Sequence, residues 1–246
     1  MEQVERAFWL ALRFLTRIPA PYRFEPQPED WGRAMLFFPL VGALIGIVLI
    51  AFHDMFGGTA RLLEAALLLV VWVLVTGGLH LDGLADTADA WVGGHGDRER
   101  ALEIMRDPRN GAAAIWAVAL VLLVKFTALA ALLGGAAWKA LLLAPVLGRT
   151  GLLALFLTTP YVRPNGLGAH YAEHLPRQWA RLIALAVAAA ALALTGGAGF
   201  LALMTLLMVG WLLRRAMLSR IGGTTGDTAG AACEIMEAAI LVVLAL

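Results

Sequence analysis

The chain has 246 residues, of which 61% are hydrophobic and 15% charged, with a mean hydropathy of +0.79. A water-soluble domain carries about 25% charge, and at this length it cannot hide so much apolar surface, so the composition excludes a soluble globular protein. A formal net charge of +1 with no basic patch gives no sign of a nucleic-acid partner, and one cysteine, Cys233, excludes an internal disulfide framework and a cysteine-built zinc site.

The first segment, "MEQVERAFWLALRFLTRIP", mixes Glu2, Glu5, Arg6, Arg13 and Arg17 with Phe8, Trp9, Leu12 and Phe14. This amphipathic pattern over residues 1–20 fits a helix lying on the membrane surface, or one packed on the rest of the protein, and not a cleaved signal peptide. Seven apolar runs then follow at 34–52, 62–79, 112–133, 140–159, 182–195, 199–213 and 229–246. Crossing a bilayer takes roughly 20 residues. The fifth and sixth runs are short and joined by "GGA", which reads as a tight helical hairpin. The expected fold is therefore all-α: a polytopic membrane helical bundle of about seven transmembrane helices plus an N-terminal amphipathic helix, forming a single integral membrane domain over 1–246.

Basic residues orient it. With the N-terminus in the cytoplasm, the inside segments hold Arg6, Arg13, Arg17, Arg23 and Arg33, then Arg98, Arg100, Arg106 and Arg109, then Arg163, Arg177 and Arg181, then Arg214, Arg215 and Arg220. The outside loops hold only Arg61 and Lys139. This bias predicts N-terminus in and C-terminus out of the cytoplasmic (inner) membrane. It also puts the acid-bearing loops, and any chemistry, on the cytoplasmic side.

After the second run comes "GGLHLDGLADTADAW". Asp82, Asp86 and Asp89 are spaced i, i+4, i+7 and fall within about 60° of one helix face. Three such carboxylates repel one another unless something positive sits among them. A hard divalent cation meets that need, and Mg²⁺ binds through carboxylates and substrate phosphates. Gly83 leaves room for a phosphate or a backbone to approach, and His80 is placed to bond a ligand or to serve the helix end. A solvated polar helix start is the plainer reading of the cluster. Next, "DRERALEIMRDPRNGA" reads as a salt-bridged interfacial helix whose Arg106, Asp107 and Arg109 are candidates for phosphate recognition. Arg149, in "GRTG" within the fourth run, wants an acidic partner or an anionic ligand, and Lys125 is similar.

The last element opens with "GGTTGDTAGAACEIMEA". Gly222, Gly223 and Gly226 with Thr224 and Thr225 form a donor-rich loop suited to phosphate at a helix N-terminus. Asp227 and Glu234, at i+7, extend a second acidic stripe, with Glu237 about 60° further round. Glu234 and Glu237 lie inside an apolar run, either at the site or paired with Lys125 or Arg149 for structure. The two site segments are thus 77–111 and 219–237. Metal-binding candidates are Asp82, Asp86, Asp89, Asp227 and Glu234. Substrate-binding candidates are His80, Arg106, Asp107, Arg109, Arg149, Thr224, Thr225 and Glu237. With no nucleophile and base pair in evidence, this inventory suits displacement at phosphorus, where metal charge and positioning supply most of the catalysis.

At "GGLHLDGLADTADAW", "ERALEIMRDPRNGA", "GRTG" and "GDTAGAACEIMEA" the chain resembles the cobalamin synthase (adenosylcobinamide-GDP ribazoletransferase) family, in order and spacing across nearly its whole length. One departure is Ala90–Trp91, where that family usually has glycine after the third aspartate. The resemblance implies a Mg²⁺-dependent membrane transferase. It would join adenosylcobinamide-GDP to α-ribazole or α-ribazole 5′-phosphate, giving adenosylcobalamin or its 5′-phosphate and GMP, the final nucleotide-loop assembly of vitamin B12. In that reading the ribose 3′-hydroxyl attacks the cobinamide-side phosphorus within a broad cytoplasmic cavity. Asp82, Asp86 and Asp89 are catalytic, one of them, with Asp82 first in line, taking the hydroxyl proton. Membrane lipid is the standing partner, with room for a homo-oligomer or association with other B12-assembly enzymes. A looser likeness to CDP-alcohol phosphotransferases breaks down at Asp86, where those enzymes place arginine. A cation- or proton-coupled transporter running through Glu234, Glu237, Arg149 and Lys125 is the rival from another class.

Overall fold

A computed structural model describes residues 2–19, 25–57, 60–135, 137–164 and 166–246; Arg23 lies outside them. Among these residues every regular element is a helix, apart from one isolated bridge between Tyr161 and Thr224. The helices are α1 (Glu2–Leu15), α2 (Pro28–Ala34), α3 (Phe38–Phe56), α4 (Arg61–Thr76), α5 (Leu79–Gly93), α6 (Arg98–Ile104), α7 (Ala112–Leu132), α8 (Ala137–Thr158), α9 (Leu167–Glu173), α10 (Arg177–Thr195), α11 (Gly197–Ile221) and α12 (Gly226–Ala245). A 3₁₀ turn at Met35–Phe37 joins α2 to α3. Lipid offers the backbone no hydrogen-bonding partner, so apolar runs of this length can only satisfy it as helices.

Six stretches among the described residues are long and apolar enough to cross a membrane: Pro28–Phe56, Ala112–Leu132, Ala137–Thr158, Arg177–Thr195, Gly197–Ile221 and Gly226–Ala245. The shorter α4 also connects the two ends of the bundle. Its start, Arg61, shares a far-end surface with Gly135, Lys139, Ala198 and Ala245, and at its other end the Val75 carbonyl accepts from the Arg17 N–H at 2.7 Å. With α4 and the bent α5 taken as one span, the described residues hold up to seven crossings, in line with the hydropathy.

The second run stops earlier than its composition suggests, because Gly77 and Gly78 both adopt left-handed backbone (φ 65° and 69°). Their N–H groups cap the Leu74 and Val73 carbonyls, and α5 leaves at 90° to α4. The sixth run is longer than predicted, since α11 continues for 25 residues past Arg214, Arg215 and Arg220. Those arginines mark where the helix leaves the apolar zone and not where it ends. Arg214 donates to the Thr158 carbonyl, and Arg220 donates to the Trp91 carbonyl while its guanidinium lies over that ring.

Helix α8 is the buried axis, packed most extensively on α3 and α12. Pro145 inside α8 removes the N–H that would bond the Leu141 carbonyl. Gly46 of α3 sits against that carbonyl, and Gly42, one turn earlier, sits against the Pro145 carbonyl: a Cβ on Gly46 or Gly42 would lie 2.9 or 2.4 Å from the oxygen. Small residues at i and i+4 let backbones approach closely, which is how membrane helices associate where the hydrophobic effect is absent. The N-terminal helix settles between its two readings: α1 buries Ala7, Leu10, Ala11, Leu12 and Leu15 against the protein, chiefly α2 and α3, while its charged face stays exposed.

Candidate functional site

The acidic helix α5 begins at the glycine corner and lies across α7 and the start of α12. What Gly83 admits is backbone: a Cβ there would lie 2.7 Å from the Asp227 carbonyl oxygen and 3.0 Å from its Cα. The absent side chain is what brings Asp82 and Asp227, 145 positions apart in sequence, to one cavity. Gly83→Ala forces this crossing apart, and overpacking of this kind costs about 1–3 kcal/mol. We expect a lower melting temperature in detergent; an unchanged one would mean that the crossing has slack.

The three aspartates of α5 divide their work. Asp82 lines the cavity. Burial first, and then the negative charges of Asp82, Asp227 and Asp89, push the Asp86 carboxyl up to about 6 against the opposing charge of Arg163. Asp89 turns away to accept from the N–H groups of Gly111 (2.5 Å) and Ala114 (2.9 Å), serving as the anionic cap of α7. The shared face predicted from spacing is real as a helical face, but its third carboxylate is occupied in holding structure.

The cavity measures about 480 Å³ and opens at the end of the bundle where α5 and α12 meet. Its polar end carries His80, Asp82, Arg163, Asp227 and Gly226. Arg163 donates to Asp227 at 2.8 Å from the loop after α8. That loop is tied to the last helix by a parallel bridge, with the Val162 N–H on the Thr224 carbonyl and the Thr224 N–H on the Pro160 carbonyl, both 2.9 Å. Burial, and then the Asp227 charge beside it, raise the Tyr161 hydroxyl above its ordinary range. The remaining wall is apolar and rich in rings: Phe14, Met35, Phe38, Leu152, Phe156 and Tyr171.

Several expectations need correcting. Glu234 is not with the aspartates: it is 5% exposed and receives Lys125 Nζ at 2.5 Å. Lys125 also reaches Glu237 at 2.6 Å, and Glu237 pairs with Arg149, both fully buried. Two positive and two negative groups on α7, α8 and α12 thus neutralise one another beneath the cavity, the structural alternative for these acids and the reverse of an open transport path. Thr224 and Thr225 are fully buried: the Thr224 amide is spent on the bridge and the Thr225 amide on the Thr228 hydroxyl, while the Thr225 side chain caps α12. They shape the loop and do not present donors to phosphate. Asp107 and Arg109 form an exposed pair beyond α6, whose hydrogen bonds from Arg109 hold the Asp107 carboxyl down at about 2. With Arg106 they lie outside the cavity.

The sequence reading missed Arg163, Tyr161 and the aromatic wall. The signal was "PYVRPNG", a loop already assigned to the same membrane side as the acids, with an aromatic and a cation between two prolines. Among the described residues no three Asp, Glu, His or Cys converge into a site able to hold a metal unaided. Two carboxylates on an open cavity, with Asp86 behind them, fit instead a hard cation shared with substrate phosphates, the usual manner of Mg²⁺.

A profile of the cobalamin-5-phosphate synthase family matches residues 7–245. A Pseudomonas fluorescens strain Pf-5 protein named adenosylcobinamide-GDP ribazoletransferase is 53% identical over 239 residues, 97% of this chain and 98% of that protein. Proteins of the same name from Pseudomonas paraeruginosa and Pseudomonas aeruginosa are each 55% identical over the full length of both chains. No solved structure matches.

Proposed function

Because this chain belongs to the cobalamin-5-phosphate synthase family, we propose that it is an adenosylcobinamide-GDP ribazoletransferase. It joins adenosylcobinamide-GDP to α-ribazole or α-ribazole 5′-phosphate and releases GMP, leaving adenosylcobalamin or its 5′-phosphate. The observation that carries this is full-length identity of 55% to proteins of that name. The cavity supports it: carboxylates and an arginine meet there at the one end of the bundle rich in basic residues.

The ribose 3′-hydroxyl oxygen forms a bond to the cobinamide-side phosphorus, and the bond from that phosphorus to the bridging oxygen breaks. GMP takes the electron pair. Asp82 receives the hydroxyl proton at the cavity wall. Arg163 steadies Asp227 and adds positive charge where the pyrophosphate is drawn in. Mg²⁺ would be held by Asp82 and Asp227, with Asp86 at hand, and supplies charge neutralisation for the pyrophosphate. The enzyme sits in the cytoplasmic membrane with this face in the cytoplasm, N-terminus in and C-terminus out.

The test is reconstitution of the full chain in lipid with adenosylcobinamide-GDP, α-ribazole and Mg²⁺. GMP and cobalamin should appear in equal amounts, stop on addition of EDTA and return with excess Mg²⁺. No GMP from well-folded protein would remove the transferase reading, and turnover indifferent to EDTA would remove the metal.

A further inference from the structure

The two substrates bring several flat groups to this face: the corrin macrocycle with its amide side chains, the adenine of the upper ligand, guanine, and the benzimidazole of the ribazole. Adenine and guanine carry amino groups or carbonyls on their edges, and the corrin rim carries amides. Burying such groups without partners costs free energy. The dimethylbenzimidazole carries the least of this, with no N–H in the nucleoside, one ring nitrogen left as an acceptor, and methyl groups on its outer edge.

The apolar end of the cavity offers a flat, apolar ring a matching surface. Phe14 and Phe38 stack at 6.0 Å between centroids, Tyr171 packs on both at 5.1 and 5.8 Å, and Phe156 stacks on Tyr161 at 5.8 Å. Leu152 and Met35 complete the lining. About 480 Å³ falls within the range of small-molecule sites. It suits a two-ring nucleoside and is too small for the corrinoid. At the polar end, His80 is 5% exposed and its Nδ1 has no hydrogen-bond partner among the described residues. A buried nitrogen of that kind calls for a ligand group.

Resting on the transferase reading, we infer that this cavity is the seat of the ribazole: its benzimidazole lies among Phe14, Phe38, Phe156 and Leu152, and its ribose turns toward His80, Asp82 and Asp227. The corrinoid nucleotide then approaches from outside the cavity and presents its pyrophosphate at the carboxylate end. The broad cavity expected for the corrinoid is thereby replaced by a small pocket for its co-substrate.

The test uses the full chain in lipid nanodiscs, titrated with α-ribazole by its own fluorescence, without corrinoid. Leu152→Trp fills the pocket and Phe38→Ala opens it, and each should weaken ribazole binding by about tenfold or more, with melting temperatures confirming the fold. Guanosine and adenosine should not compete. His80→Phe should weaken α-ribazole yet leave the free base 5,6-dimethylbenzimidazole unaffected, since the base lacks the ribose. Ribazole binding that survives both wall variants overturns the assignment, as does loss of binding by competition with lipid alone. The two readings separate cleanly. If ribazole binds as stated but reconstitution yields no GMP, the transferase reading falls and the pocket stands. If GMP forms and the ribazole KM ignores both wall variants, the pocket falls and the transferase reading stands.

Discussion

Asp82→Asn is expected to lower GMP release by about 10³-fold or more while the melting temperature holds or rises slightly. The amide keeps the shape of the carboxylate, so the packing of α5 is undisturbed. It removes two things at once: a charge able to face Mg²⁺ and an oxygen able to take the proton of the attacking hydroxyl. The melting temperature should not fall, because Asp82 repels Asp86 and Asp227, and losing one like charge relieves the cluster. Asp89 should not share the effect, since it serves α7: Asp89→Asn should mainly loosen the α7 cap. An Asp82→Asn enzyme that keeps a tenth of its rate would take Asp82 out of the chemistry and leave Asp227 as the principal carboxylate.

Lys125→Met should be the most destabilising single change in the membrane interior. Lys125 is 2% exposed and bonds both Glu234 and Glu237, while its ammonium lies 4.8 Å from the Trp72 ring centre. Without it, two buried carboxylates face Arg149 alone. Breaking a buried ion pair from one side costs about 3–5 kcal/mol, because the charge left behind has neither water nor a partner. Adding Glu234→Leu restores the balance and should recover most of the loss, a coupling that thermal melts of the two single variants and the double variant measure directly. If Lys125→Met melts like the parent, Glu234 and Glu237 are protonated in the native state and the network is not ionic.

These two cases show what a linear reading captures. The crossings were legible because lipid leaves an apolar run only one way to satisfy its backbone. The acidic face of α5 was legible because a helical period can be read over eight residues. Neither reading reaches partners set by packing. The tie of Asp89 to Gly111 spans a helix, a turn and a second short helix, and that of Lys125 to Glu234 joins the third and seventh crossings. The Gly/Thr loop illustrates the opposite hazard: its composition announces phosphate binding by both threonines, while the Thr224 and Thr225 amides go to the Pro160 carbonyl and the Thr228 hydroxyl. Arg163 reads only as an orientation signal in the sequence, because a single arginine after a span satisfies the charge bias of the membrane.

The glycine corner also bears on how the molecule is made. Arg17 bonds the Val75 carbonyl and its side chain lies against Gly77, so α1 cannot reach its final seat until the second crossing has been synthesised and turned. The cavity extends the same dependence, since its wall runs from Phe14 to Gly230. Helix α1 is thus finished by α12, and no chain translated short of Gly230 holds a complete pocket.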